Sequence, residues 1–328
     1  MKKLFVICFL FCLFCGISLF ITVSNNIVIT KTLFTGDIWI NKLFNNYFRK
    51  PDNNKANIIG ISGKKKKTVK IRLMQYNVGR FNYGNTKNEG LPADIYDKKL
   101  LGLKKLFTTY QPDIVGMQEV LEYLDHAETH KSNDVLFDVF FPFKTDLFNY
   151  KRAIKGKYPV TYVATKKVPV IIDGIVFNVS FAHCQINIEG RLVDIATTAL
   201  PSYSNEFDRR KREVVLPLIL DEFANSEYAF IILDMNNGGN RKDISSKEEG
   251  KTLLQIARGK GWNFANGGDV PFQVTYVIPK YLYRQLVIDN IIYKNNGNII
   301  FNDFKVLTDE YENLASDHAP IYADFLLN

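Results

Sequence analysis

Polar residues able to do metal and acid–base chemistry stand where the strand-like runs of this chain finish. Asn77 follows Val69–Tyr76, Glu119 follows the run IVGMQ, and Asp234 and Asn236 follow AFIIL. Asp289 interrupts LVIDNII, and Asp317 and His318 directly precede a last apolar run, Ile321 to Leu327. Carboxylates and amides gathered at one edge of a sheet make an all-oxygen site suited to Mg²⁺ or Mn²⁺. A histidine among them takes a proton from water or steadies a phosphate oxygen, with a carboxylate orienting its ring. Each residue alone reads as loop polarity or a cap. Together they read as a site.

The elements that must position these groups follow from periodicity. Val69, Ile71 and Leu73 alternate, so VKIRLMQYN is a strand. Tyr96, Leu100, Leu103 and Phe107 recur at helical spacing opposite Lys98, Lys99, Lys104 and Lys105, and Gln111-Pro112 stops that helix. Two β-rich runs, Ile175 to Ile186 and Arg191 to Thr198, flank the hairpin signal Asn187 to Gly190. Glu206 to Phe223 reads as a helix kinked at Pro217, and Ala229 to Leu233 as a buried strand. Phe272 to Ile278, Leu286 to Tyr293 and Ile321 to Leu327 complete the strands. No period of 20–50 residues repeats. Many strands and few helices imply two packed sheets with helices outside them.

The ordered set YNVGRF, QPDIVGMQEV, KYPV, AFIILDMNN, VIDNII and SDHAPI resembles the endonuclease/exonuclease/phosphatase superfamily, with its deoxyribonuclease- and sphingomyelinase-like fold. The likeness spans residues 69–328. It implies an α/β fold, a four-layer αββα sandwich of two packed mixed sheets. It also implies a Mg²⁺- or Mn²⁺-dependent phosphoesterase that attacks phosphorus in line with water. On matching positions, Glu119 resembles the principal metal ligand, Asp317 the acid at the metal side, and Asn77 the amide beside metal and phosphate. Asp234 resembles the acid that orients or activates water, and Asn236 the amide on the phosphoryl group. His318 resembles the histidine against the phosphate, oriented by Asp289.

The pattern breaks in three places. Where the family has Thr-His-Leu this chain has Thr198-Ala199-Leu200, so a proton donor to phosphate or leaving group is replaced by alanine. Leu233 stands for the glycine before Asp234, where a larger side chain is expected to narrow the cleft floor, and Asn290 stands for a further histidine. These departures keep a second reading open, a binding or scaffold protein that retained the fold. The other histidines read as structural: His126 and His130 lack the H-E-x-x-H pattern, and His183 lies within a strand. Neither G-x-S-x-G nor G-x-x-x-x-G-K-[ST] occurs, which excludes a serine-hydrolase elbow and a P-loop.

Composition narrows the partners. The net charge of +8 is local, because residues 1–67 hold eleven basic groups against two acids, leaving 31 basic and 32 acidic residues beyond them. A near-neutral body lacks the field that drives sequence-independent nucleic-acid binding, so an extracytoplasmic nuclease is the less favoured alternative. Three of the four cysteines (Cys8, Cys12, Cys15) lie in the first apolar run, and Cys184 alone builds no disulfide or thiolate cage. Leu4 to Val23 is twenty residues without a charge, about 30 Å as a helix, which suits an uncleaved membrane span (residues 1–23) over a signal peptide. Lys2 and Lys3 place the N-terminus in the cytoplasm and the body outside it, or secreted if the segment is cleaved. Residues 24–68, ending in the Lys64 to Lys67 run, read as a solvated tether. The substrate class stays open.

Overall fold

The computed structural model describes residues 67–79, 93–119, 143–144, 152–202, 206–237, 246–277, 285–308 and 316–328. The expected membrane span and nearly all of the tether lie outside these residues, as do His126 and His130. Among the described residues no helix is long and apolar enough to cross a membrane.

Two six-stranded mixed sheets form the body. The first has the order β13-β14-β1-β2-β4-β3, with β1 (Val69–Asn77), β2 (Ile114–Gln118), β3 (Phe143–Lys144), β4 (Arg152–Gly156), β13 (Ile299–Val306) and β14 (Ile321–Leu327). The second runs β5-β6-β7-β8-β12-β9, with β5 (Val160–Ile172), β6 (Ile175–Ile188), β7 (Arg191–Ala199), β8 (Tyr228–Asp234), β9 (Trp262–Phe264) and β12 (Asp289–Lys294). A short ladder joins β10 (Tyr276–Val277) to β11 (Gln285–Leu286). Parallel pairs β1–β2 and β7–β8 lie at the heart of each sheet, with antiparallel neighbours around them.

Strand alternation decides what each face does. Ile71 and Leu73 of β1 and Ile114 of β2 meet Ile195, Phe230, Ile232 and Ile291 of the second sheet in a fully buried core. Ala196, Ile231 and Leu233 point the other way, onto Val215, Ile219, Leu253 and Ala257 of α2 (Glu206–Asp221) and α3 (Ser246–Gly259). Helix α1 (Ala93–Tyr110) lies against the first sheet at its C-terminal end, where the Arg72 guanidinium donates to the Tyr110 carbonyl and Tyr110 packs on Tyr322. Leu103 and Phe107 are buried, as their spacing predicts.

The two sheets approach closely beneath one edge, and a glycine permits it. A Cβ on Gly116 would stand 2.7 Å from the Ile232 side chain in the opposite sheet. Gln118 is two residues further along the same face, and its side chain crosses the gap to Thr197 and the Ile232 carbonyl.

Several expected elements come out differently. Within the described part of that run, Phe272–Val277, only Tyr276–Val277 is a strand, because Gln273 and Thr275 bond instead to Asn266 and Leu286. Leu286 to Tyr293 divides into β11 and β12, with Asp289 as the first residue of β12 and not an interruption within a strand. Helix α2 contains Pro217 and ends at Asp221, two residues short of the expected Phe223. Helix α3 and strands β3, β4, β5, β9 and β13 are not among the elements that periodicity predicts.

Candidate active site

The edge beyond Gly116 and Ile232 collects the polar residues. Gln75 and Asn77 continue the inward face of β1 past Ile71 and Leu73, so the alternation that builds the core also aims two buried amides across the sheets. Gln75 Nε2 donates to Asp289 Oδ1 at 2.6 Å and to Gln118 Oε1 at 2.9 Å. Asn77 Nδ2 donates to Asp234 Oδ2 at 3.0 Å and to Glu119 Oε1 at 3.3 Å.

Asp234 and Asp289 are direct cross-strand neighbours in β8 and β12, and both are buried. Two carboxylates so placed repel each other unless donors serve both. Asp289 has Gln75 and the His318 ring, whose Nδ1 lies 2.9 Å from Oδ2. Asp234 has Asn77 and the Asn236 backbone N–H, at 2.8 Å. Burial pushes the Asp234 carboxyl up, as do Asp289 and Glu119, while His318 and the Asn236 N–H oppose the rise; the net shift is upward. Burial alone would lower His318, but Asp289, Asp234 and Asp317 outweigh it and hold the imidazole well above its ordinary value.

Glu119 and Asn236 both sit in the left-handed region, at φ 54° and 51°. Each ends its strand with a sharp reversal that leaves the side chain at the sheet edge. Asn236 is tied down by Nδ2 donating to the Leu200 carbonyl at 2.9 Å. Gly79 is also left-handed, at φ 53°, its N–H capping Asn77 Oδ1 at 2.9 Å. A Cβ there would come within 2.8 Å of Ser316 Oγ and 3.4 Å of Asp317 Oδ1, so the glycine lets the Ser316-Asp317 turn close against Asn77. All seven residues singled out from the sequence thus belong to one continuous set of contacts around the edge. Asn77 presents its NH₂ to the carboxylates, as a donor beside Glu119.

Two donor groups could hold a cation. Ligand atoms of Asp234, Asp289 and His318 lie within 4.8 Å of one another. Asp289, however, already accepts from Gln75 and His318, which suits an orienting acid better than a ligand. Glu119 and Asp317 are both partly exposed; Glu119 accepts from Asn77, and Asp317 lies beside Gly79, whose N–H caps Asn77 Oδ1. With carboxylates, amides and no thiolate, this set fits a hard dication.

The departed positions acquire locations. Ala199 lies directly opposite Asp234 across β7 and β8, and shares the face of Thr197, so it borders the site. Leu233 does not narrow the cleft floor: it is buried in the helix-facing core, because neighbouring strand residues point to opposite faces. Asn290 bonds the backbone of Asn266 on both sides and is structural. Thr275 was not foreseen: its hydroxyl accepts the Asp289 N–H at 3.0 Å and its carbonyl accepts from Ala319, pinning the acid beside the histidine. Tyr276 adds a ring edge-on to His318 at 4.9 Å. A single threonine in a polar stretch carries no sequence signal for such a task.

No family model and no curated protein sequence matches this chain. Solved structures do. The D. rerio TDP2 complexed with single strand DNA product is 16% identical, covering 78% of this chain and 98% of that one, with a TM-score of 0.54. An endonuclease/exonuclease/phosphatase from Bacteroides vulgatus is 16% identical over 79% of this chain and 100% of its own, at 0.53. The human Nocturnin catalytic domain with bound sulfate anion is 16% identical over 80% and 97%, at 0.52. At such identity the likeness is one of fold.

Proposed function

From the endonuclease/exonuclease/phosphatase fold that this chain has, we propose a metal-dependent phosphoesterase, tethered to a membrane through residues 4–23 with its body outside the cytoplasm. The observation that carries this reading is the Asp289–His318 pair, 2.9 Å apart, facing a second buried acid, Asp234, whose other neighbours are Asn77 and Glu119. Glu119 and Asp317 would hold Mg²⁺ or Mn²⁺, which when bound supplies positive charge for the phosphoryl oxygens.

The chain's own groups account for the rest. Asp234, shifted upward by burial, is suited to accept a proton from the attacking water. The new bond runs from that water oxygen to phosphorus, and the bond from phosphorus to the ester oxygen breaks. His318, kept protonated and oriented by Asp289, offers positive charge to the phosphoryl oxygens as they gain negative charge. Asn77 and Gln75 fix the two acids against their mutual repulsion.

Ala199 shapes the outcome. A side chain with no proton to give stands at the rim opposite Asp234. The leaving oxygen therefore departs without a proton from this position, and turnover should fall steeply as the leaving group becomes more basic. The test is a series of soluble aryl and alkyl phosphodiesters with Mg²⁺. The expected result is activity on nitrophenyl esters, lost by about 10²-fold or more in Glu119→Gln, since the ion it would hold supplies several kcal/mol of charge stabilisation, and a shallower leaving-group dependence in Ala199→His. Full activity in Glu119→Gln would refute the site. Silence on every ester in both the native chain and Ala199→His favours the second reading, a binding protein, for which Ala199 is the specific observation.

A further inference from the structure

The orienting acid of the candidate site is reached by a chain of side-chain hydrogen bonds that begins in the core. Gln118 Nε2 donates to Thr197 Oγ1 at 2.8 Å and to the Ile232 carbonyl at 3.3 Å, both in the second sheet. Gln118 Oε1 accepts from Gln75 Nε2 at 2.9 Å, and the same Nε2 donates to Asp289 Oδ1 at 2.6 Å. Strand register makes this possible: Gln75 is the direct neighbour of Gly116 and the diagonal neighbour of Gln118. Gln75, Gln118, Thr197 and Asp289 are all fully buried.

The chain of bonds has a fixed direction. A backbone carbonyl only accepts, so the Ile232 oxygen requires the NH₂ end of Gln118 and turns Gln118 Oε1 toward Gln75. Gln75 must then present its own NH₂, which is the end that meets Asp289. That direction has a cost, because Gln75 Oε1 is buried and accepts no hydrogen bond among the described residues. Asn77 carries no such cost: its NH₂ serves Asp234 and Glu119 while its Oδ1 accepts from Gly79. Apolar residues at positions 75 and 118 would fill the same space without an unmade bond, so packing by itself does not account for two amides.

Their effect falls on Asp289. Its backbone N–H is held by Thr275, which places the residue but leaves the carboxylate free to rotate. Among the described residues the carboxylate accepts from two groups, Gln75 and the His318 ring. Gln75 therefore sets the plane that His318 Nδ1 meets, 2.9 Å from Oδ2 and 3.1 Å from Oδ1. Gln118 bonds neither Asp289 nor His318 and reaches them through Gln75.

We infer that Gln118 and Gln75 form a positioning relay: a bond direction fixed at the Ile232 carbonyl orients the Asp289 carboxylate and, through it, the His318 ring. The expected loss of turnover rests on the phosphoesterase reading, while the placement of the ring does not. The first test therefore needs no catalysis. In the full chain with isotope-labelled histidine and no added metal, NMR follows the ring N–H of His318, assigned by its loss in His318→Ala. Gln75→Met and Gln118→Met should both shift that signal, and Thr197→Val, which keeps the shape of the side chain, should shift it less. The ring N–H of His183, 2.8 Å from Asp194, should stay in place in all three and reports any loosening of the whole fold. The second test is steady-state hydrolysis of a soluble nitrophenyl diester with Mg²⁺. Gln75→Met should lower kcat by about 10–100-fold, and Gln118→Met by about 10-fold, with KM and the Mg²⁺ requirement unchanged. The double variant should lose no more than Gln75→Met alone. A His318 signal unmoved in Thr197→Val and in each methionine variant that folds overturns the inference. So do two histidine signals that move together, which would make the amides structural only. Losses that multiply in the double variant overturn it as well, since Gln118 would then act through Glu119 beside it. If no sample hydrolyses the diester, the catalytic reading fails while the His318 signal still decides the relay.

Discussion

Among the described residues, two buried carboxylate–histidine pairs lie on opposite faces of the second sheet. Asp289 meets His318 at 2.9 Å on the inner face, and Asp194 meets His183 at 2.8 Å on the outer face. As pairs they are nearly the same. Their surroundings are not. Asp194 also accepts from Ser226 at 2.6 Å and Gln185 at 3.4 Å, and His183 stands edge-on to Phe223 at 4.9 Å. Burial pushes the Asp194 carboxyl up, but hydrogen bonds from His183, Ser226 and Gln185 outweigh it and hold it below the usual range. At the inner pair the nearest carboxylate, Asp234, is shifted upward, and partly exposed acids stand beside it. The outer acid is satisfied by its donors, although it lines an open pocket with Gln185, Glu222 and Ser226. The inner pair stands against a further buried acid, Asp234, whose ligand atoms lie within 4.8 Å of its own. A carboxylate–histidine contact is therefore no signature of catalysis without its next neighbours.

The largest expected effect breaks or keeps that distinction directly. His318→Ala should lower turnover of a soluble nitrophenyl diester by about 10²–10⁴-fold, while His183→Ala leaves it within about twofold. Equal losses in steady-state rates would erase the difference between the pairs.

A smaller effect should fall on the inner pair through packing. Gly116→Val drives a side chain into Ile232 and forces the sheets apart, costing up to about 3 kcal/mol in denaturant unfolding. Turnover should fall further than Asp194→Asn would lower it, since Gln118, Gln75 and Asp289 are bonded across that gap. A fully active Gly116→Val chain would show that the cross-sheet bonds do not set the site.

The smallest effect concerns acid stability. The folded value of Asp194 lies below its unfolded value, so the stability it contributes is present above about pH 5 and lost as pH falls through the folded value. Asp194→Asn should therefore flatten the acid limb of the stability profile. An unchanged slope in thermal melts between neutral and acid pH would mean that the outer pair is not the stabilising contact described.

The candidate edge is legible because its residues end strands whose apolar alternation is strong. Asn77 follows Ile71 and Leu73, and Asp234 follows a run buried at every position. The unread elements failed on local grounds. Strand β5 contains Lys166, Lys167 and Pro169, which read as a loop, yet it is an edge strand where such residues are tolerated. Strand β13 buries only Ile299, Phe304 and Val306, so its alternation is faint. Thr275 does its work through backbone partners far along the chain, which no spacing announces.

The sequence alone determined which residue types stand at the strand ends, and hence that oxygen ligands, acids and one histidine were available together. It also determined that position 199 has no proton to donate. Only the tertiary structure decided that Leu233 faces the helices while Ala199 borders the site, and that Gln75 reaches Asp289 across 214 positions of chain. Side-chain type is written locally. Which side chains meet depends on strand register and on how closely two sheets pack, and both are fixed by the whole buried core at once.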